Sequence, residues 1–316
     1  MRLKFFKFIL ILGTPLTYLS SLWLKFVKKV GSNKMSDGIF MRLGILPILD
    51  HYYQPMINPK KHLTKSLRTD RQLVGIDFNI KEQLQLLAQF DFNDELLAFP
   101  IAKRQELEFY YDNGPYKSGD AEYLYNIVRH YKPKRVIEVG SGNSTLMVKN
   151  AINQNKIDNP DYICHHICIE PYEMPWLETI DIQLIREKIE SMPASFFQQL
   201  EANDILFIDS SHMIRPQGDV LFEYLELLPT LKSGVLVHIH DIFTPKDYLD
   251  EWVLDNHSFW NEQYLLEAFL TFNSEYKIIG ALNYLTHNYR KELAEKCPIF
   301  AIQQGREPGA FWIIKK

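Results

Sequence analysis

Residues 134–145 read Lys-Arg-Val-Ile-Glu-Val-Gly-Ser-Gly-Asn-Ser-Thr, a short apolar strand that runs into a glycine turn and then opens a helix. Glu138 stands two residues before Gly140, and Gly142 two residues after it. A strand ending in Gly-x-Gly before a helix lets backbone N–H groups come close to a ligand at the helix N-terminus. A dinucleotide fingerprint needs Gly or Ala where Thr145 stands, so that helix and strand pack tightly. A phosphate-cradling loop needs Gly-Lys-Ser/Thr, which is absent from the stretch. Glu138 would also repel an anion, and it suits a cofactor that carries a cationic ammonium group.

Outward from this turn, the chain after about Tyr111 alternates strand and helix, the pattern of a parallel sheet covered by helices. Strands are predicted at Arg135–Val139, His166–Glu170, Gln183–Glu187, Ile205–Asp209, Gly234–His240, Lys277–Gly280 and Ala310–Ile314. Helices are predicted at Ala121–His130, Ser144–Asn153, Gly218–Leu231, Glu262–Phe272 and Arg290–Lys296. Ligands of such sheets bind outside the carboxyl ends of the strands, where the strand order reverses. Before this region, 37–110 reads as an accessory cap: Pro47, Pro55 and Pro59 break it early, and Lys81–Leu97 has helical spacing interrupted at 91–94, where Asn93 or Asp94 can cap a new helix.

The Glu-x-Gly-x-Gly-x-Ser-Thr stretch resembles the first motif of the class I S-adenosylmethionine-dependent methyltransferases. The resemblance covers 111–316 and implies an α/β, Rossmann-like, seven-stranded, mostly parallel sheet with helices on both faces and the last strand, Ala310–Ile314, inserted antiparallel. It implies that Glu138, Gly140, Ser141, Gly142 and Ser144 hold the methionine end of S-adenosylmethionine. Glu170, ending the second strand, takes the place of the acid that accepts hydrogen bonds from the ribose hydroxyls, and a carboxylate meets that need. Its distance from Glu138 is longer than a dinucleotide fold expects, with 152–164 read as a loop insertion that accounts for it. The loop Arg186–Ser191, where this family contacts adenine, offers nothing diagnostic. Asn113 and Asp120 lie in the region the related enzymes use to cover the cofactor, although Asp120 also reads as a helix N-cap.

Two further strands end in polar clusters that core packing does not ask for. One delivers Asp209, Ser210, Ser211 and His212; the next delivers His240 and Asp241. Two readings stay open. In the preferred one, His212 is a general base for an acceptor hydroxyl, with Asp241 as orienting partner. In the other, Asp209 and Asp241, with His240, hold a divalent cation such as Mg2+ that acidifies a hydroxyl. The pairing resembles a methyltransferase subgroup found beside polysaccharide and antibiotic-sugar biosynthesis, whose metal-dependent sugar O-methyltransferases carry two adjacent acids where this chain has His240-Asp241. A sugar, glycan or small-molecule hydroxyl is the acceptor this implies. Trp260 and Tyr264 suit stacking on a sugar ring, or core packing, and Asn261 reads as a helix cap. Cys164-His165-His166-Ile-Cys168 reads as packed strand residues, because four ligands on one strand alternate between faces and cannot converge.

Of 316 residues, 46% are hydrophobic and 23% charged, as in an ordinary globular protein, and the net charge of −4 argues against a nucleic-acid partner. Three cysteines point to reduced thiols and an intracellular location. The charge is uneven. Residues 1–36 hold seven basic residues and no acid, so the remainder carries −11, the −4 of the chain less the +7 of this segment. Phe8 to Leu24 is uncharged and mostly apolar, at the short limit for a bilayer span, with Pro15 set to kink it. An interfacial helix on the cytoplasmic face of a membrane fits this best, its lysines on anionic head groups; a cleaved signal or a buried helix are the alternatives. A homo-oligomer stays open. The rival functions are a non-catalytic cofactor-binding scaffold and an oxidoreductase of the cephalosporin-hydroxylase-like type, the latter disfavoured because no two-histidine-one-carboxylate set is convincingly spaced.

Overall fold

Seven strands form one sheet in the order β3-β2-β1-β4-β5-β7-β6: β1 Arg135–Val139, β2 His165–Ile169, β3 Gln183–Ile185, β4 Ile205–Ile208, β5 Leu236–Ile239, β6 Tyr276–Ala281 and β7 Phe311–Lys315. The computed structural model describes residues 2–31 and 33–316; Met1 and Ser32, both within the basic apolar segment, lie outside the described residues. Strands β1 to β5 pair in parallel, and β7 enters antiparallel between β5 and β6. This is the Rossmann-like sheet expected from the sequence, and each strand falls within two residues of its expected bounds.

The inner strands are apolar on both faces because helices cover both. Val136, Ile205, Phe207, Leu236 and Trp312 face one layer; Ile137, Val139, Leu206, Ile208, Val237 and Ile239 face the other. Each such fully buried aliphatic side chain contributes about 1.5–3 kcal/mol relative to exposure. The helix Asp120–Tyr131 has a run of ten consecutive buried residues, so it is enclosed on all sides. Its Arg129 accounts for part of that enclosure: the guanidinium forks onto both Glu95 oxygens at 2.8 Å and reaches Asp158 at 2.6 Å.

That fork also corrects the expected boundary at residue 110. Contacts divide the described chain into two units, one of the first 66 residues with Glu251–Phe259, the other of Leu67–Asp250 with Trp260–Lys316. Residues 67–110 thus belong to the sheet-bearing unit, since the helix Ile80–Ala88 brings Leu86 and Leu87 into its core and Gln83 Oε1 accepts from the Ala281 N–H at 2.7 Å. Neither Asn93 nor Asp94 caps the next helix, Asn93–Ala98. Phe92 is at the cap position, and the Asn93 amide instead donates to the Glu295 carbonyl at 2.9 Å. Two other expectations fail locally, and a third holds in position only. Residues 152–158 extend the helix Asn143–Asp158 where a loop insertion was expected. The region 218–231 is α-helical only over Asp219–Phe222 and then widens over Glu223–Leu227. Asn261 is at a helix cap but its side chain accepts from the Ile214 N–H at 2.6 Å.

In the smaller unit, Arg2–Leu12 and Thr14–Val30 are separate helices. No single helix among the described residues is long and apolar enough to cross a membrane, although Lys4–Leu12 and Thr14–Val30, bent by 58°, pass that test together. The bend follows from Pro15 in the first turn of the second helix, where proline is tolerated.

Candidate active site

The ladder of parallel bonds continues one residue beyond each strand. Gly140 N donates to Ile169 O, Glu170 N to Ile185 O, Asp209 N to Val139 O and His240 N to Ile208 O, at 2.8–3.1 Å. Register alone therefore sets Gly140, Glu170, Asp209 and His240 in one row along the carboxyl edge, on either side of the point where β1 and β4 diverge in order.

Over one part of this row lies a cavity of about 500 Å3 lined by Gly140, Glu170, Tyr172, Lys188, Ile189, Ser211 and neighbours. Gly140 has φ +76, and a Cβ there would sit 1.9 Å from the Asp209 carbonyl oxygen; only glycine allows β1 and β4 to exit so close together. Gly142 is different. A Cβ on it would meet only Met174, at 3.8 Å, so packing does not demand glycine there. Glu170 Oε1 accepts from the N–H groups of Tyr172 and Glu173, both at 2.9 Å. Lys188, Ile189 and Glu190, from the loop whose sequence was undiagnostic, line this cavity too.

Glu138 does not present its carboxylate to this cavity. It is fully buried, and its oxygens are taken by Thr145 Oγ1 at 2.7 Å, Ser144 Oγ at 3.4 Å and His166 Nε2 at 2.7 Å. It anchors the first helical turn after the glycines, so the expected direct meeting with an ammonium group is not what the geometry provides. Ser141 N lies 3.4 Å from Glu170 Oε2. The strand residues His166 and Cys168, set aside as unable to converge, do share a face and gather with Glu138 within 4.8 Å, because the third donor comes from the neighbouring strand at the paired register position. Asn113 spends its amide closing its own loop, on Tyr110 and Tyr116. Asp120 is not a cap; Gly119 is. Its carboxylate accepts from the Ala310 N–H at 2.7 Å, and burial pushes it up to about 6 against the charges of His240 and Arg306.

Beside the cavity the two polar strand ends meet. His212 Nε2 lies 3.3 Å from Asp209 and 3.5 Å from Asp241, and His240 Nδ1 lies 3.4 Å and 3.6 Å from the same two carboxylates. Both His212 (φ 58) and Asp241 (φ 56) adopt the left-handed backbone region, a strained placement that clusters at functional sites. The residue that sequence reasoning missed is Glu262. This fully buried acid receives His212 Nδ1–H at 2.7 Å on one oxygen and the Tyr224 hydroxyl at 3.0 Å on the other. Nothing in the sequence marks it, since a glutamate in a first helical turn is ordinary.

Burial opposes charge on every member, yet the acids win for the imidazoles. His212 is raised well above its ordinary value: burial lowers it, but Asp209, Glu262 and Asp241 outweigh that. His240 is raised to about 10, burial again opposing and Asp241 and Asp209 prevailing. Asp209 is held far below the carboxylate range, as His240 and His212 outweigh its burial. Burial raises Asp241. Asp209, His240 and Asp241 offer donor atoms within 4.8 Å of one another, and two carboxylates with an imidazole fit a divalent cation such as Mn2+ or Zn2+ at least as well as Mg2+. Two histidines and two carboxylates therefore do gather in one place, contrary to the spacing argument, because residues far apart in sequence end adjacent strands. The Trp260 ring lies against His212 with centroids 4.6 Å apart. Tyr264 is not a free stacking platform: it carries Arg71 over its ring at 5.1 Å and donates to Asp247.

A reversed seventh strand on a doubly wound sheet, with glycine and acid at the switch point, is the architecture that the methyltransferase resemblance implies. The chain matches the family described as "Methyltransferase domain" over residues 137–242, which run from β1 through the end of β5. It is 32% identical over 167 residues to an uncharacterized protein of Archaeoglobus fulgidus, a match covering 49% of this chain and 74% of that one, and it belongs to the same family. Among solved structures it is similar to a putative protein-L-isoaspartate O-methyltransferase of Plasmodium falciparum bound to S-adenosyl-L-homocysteine (16% identity, 45% of this chain and 65% of that chain, TM-score 0.26). It is also similar to an apo TDP-rhamnose 3'-O-methyltransferase of calicheamicin biosynthesis (12% identity, 79% and 99%, TM-score 0.39). Both structural likenesses are distant.

Proposed function

We propose that the chain binds S-adenosylmethionine in the cavity edged by Gly140 and Glu170 and methylates a hydroxyl of a sugar or glycan at the adjoining cluster of Asp209, His212, His240 and Asp241. The observation that carries this reading is the Tyr224–Glu262–His212 relay, which fixes one nitrogen of His212 and aims the other at Asp209 and Asp241 beside the cavity. Glu170, which lines the cavity, supplies the acceptor that a vicinal diol needs. The bound cofactor supplies a methyl group on a cationic sulfonium. The protein's task is to align the acceptor and take one proton, and alignment can supply most of the acceleration.

His212 takes that proton at Nε2, and Glu262 stabilises the imidazolium so formed. Asp209, Glu262 and Asp241 raise His212 above its ordinary value against its burial, so His212 is the better base when Asp209 and Asp241 direct their charge elsewhere. A divalent cation held by Asp209, Asp241 and His240 would do this and would polarise the acceptor hydroxyl. The two readings of the sequence thus become parts of one site. Trp260, half-exposed beside His212, offers the apolar face that a sugar ring packs on.

The first unit suits a membrane surface. Phe5, Phe8, Leu16, Leu19, Trp23 and Phe26 are all exposed, the segment carries seven basic residues and no acid, and such a combination binds anionic head groups. This supports the reading of an enzyme that lies on a membrane, on its cytoplasmic face, and acts on lipid-linked saccharides. Calorimetric titration of S-adenosylhomocysteine into the full-length chain, with Mn2+, Mg2+ or EDTA, tests the central reading. Binding weakened about 10- to 100-fold by Glu170→Ala is expected for a lost charge-assisted hydrogen bond. No binding to the folded protein removes it.

A further inference from the structure

The segment 170–174, which leaves β2, forms one wall of the cavity at the carboxyl edge: Glu170, Pro171, Tyr172 and Glu173 all line it. The parallel ladder ends at Glu170 N, which donates to the Ile185 carbonyl at 3.1 Å, so the backbone beyond it needs other partners. One side chain supplies them. Arg186, the first residue after β3, donates from Nη1 to the Glu170 carbonyl at 2.9 Å and to the Glu173 carbonyl at 2.7 Å. Its Nη2 donates to the Met174 carbonyl and to Glu178 Oε1, both at 3.3 Å. A guanidinium presents its donors in a rigid planar fork, so the three carbonyls are held in one mutual arrangement. Within that arrangement Met174 takes the left-handed region, with φ 53, which persists where the surroundings over-determine it. Arg186 itself does not line the cavity.

We infer that Arg186 is a positioning residue for the cofactor: by gathering the carbonyls of 170–174 it turns the Tyr172 and Glu173 N–H groups onto the Glu170 carboxylate and fixes that carboxylate in the cavity wall. Both N–H groups meet Glu170 Oε1 at 2.9 Å, while Oε2 accepts from Ser141 N, in the glycine turn, at 3.4 Å. A carboxylate has about four lone-pair sites. Three are committed to the backbone, which leaves the remaining acceptor direction fixed for a ligand hydroxyl. The same fork holds Met174, whose Cε is the atom beside Gly142. Without the fork the segment gains other conformations, and a ligand that needs one of them binds more weakly by the fraction of time that one is populated. The role toward the cofactor rests on the reading that S-adenosylmethionine occupies this cavity; the clamp on the segment does not.

The test compares Arg186→Ala with the wild-type full-length chain by amide hydrogen exchange and by calorimetric titration of S-adenosylhomocysteine. The Tyr172 and Glu173 amides should exchange faster in the variant, because their local opening becomes easier. Affinity should fall about tenfold, the drop expected when the competent wall is populated about a tenth of the time, with the binding stoichiometry unchanged. A variant that merely folds less well would bind at lower stoichiometry with unchanged affinity, and that result overturns the role. Arg186→Lys carries the charge without the fork and should bind as weakly as Arg186→Ala; full affinity in Arg186→Lys overturns the fork. Guanidinium chloride, far below its denaturing range, should restore part of the affinity of Arg186→Ala and add nothing to the wild type. Unchanged exchange at both amides overturns the clamp. Faster exchange with unchanged affinity overturns the positioning role and leaves the cofactor reading intact. No binding to the wild-type chain overturns the cofactor reading and the role together, while faster exchange in the variant still upholds the clamp.

Discussion

Replacing Glu262 by Gln removes one buried negative charge while preserving size. In the wild-type chain Glu262 takes the His212 Nδ1 proton at 2.7 Å and the Tyr224 hydroxyl at 3.0 Å. A hydrogen bond to a charged group is worth about 1.5–3 kcal/mol, and each 1.36 kcal/mol is about tenfold in rate, so turnover should fall roughly 10- to 150-fold. Cofactor affinity should hold, since Glu262 does not line the cofactor cavity. The sign of the pH effect follows from the same contact. Glu262 is one of the groups that raise His212; without its charge the imidazole loses its proton more readily, and the acid limb of the turnover profile moves to lower pH. The assay is S-adenosylhomocysteine release with a glycoside acceptor, alongside 15N-histidine NMR that follows His212 directly. Tyr224→Phe is the milder companion, leaving the Glu262–His212 contact intact and costing less. Unchanged turnover and an unmoved His212 titration in a folded Glu262→Gln protein would refute the relay.

Asp241→Asn should abolish Mn2+ binding measured by calorimetry while leaving S-adenosylhomocysteine binding within a few fold; retained metal affinity would place the cation elsewhere. His240 is raised to about 10 by Asp241 and Asp209, so its contribution to stability is complete below its unfolded value near 6.5 and is lost as pH rises through about 10. Melting temperature should therefore decline between those values, and His240→Gln should flatten the decline. Gly140→Ala forces a Cβ onto the Asp209 carbonyl and should cost on the order of 4 kcal/mol by denaturant unfolding; a near-neutral result would mean that β1 and β4 can separate. Flotation with anionic vesicles should carry the full-length chain, and uncharged vesicles should not; equal flotation with both would remove the electrostatic part of the membrane reading.

Sequence by itself determined the sheet, because its signals are local. An apolar run must lie between two helical layers, and a glycine turn must follow a strand whose neighbour exits within contact distance, as Gly140 does beside Asp209. The same locality exposed the polar strand ends at Glu170, Asp209 and His240, since a buried strand has no packing use for charge. What the tertiary structure alone decided is how those charges are partnered. Glu138 became an anchor because His166, 28 residues on, pairs beside it on β2. Two histidines and two carboxylates converged because β4 and β5 are neighbours in space. Glu262 entered from a helix 50 residues after His212. Pairings of this kind depend on register and on which elements pack together, and the energy that selects them is spread over the whole core, so no local pattern of residues records them.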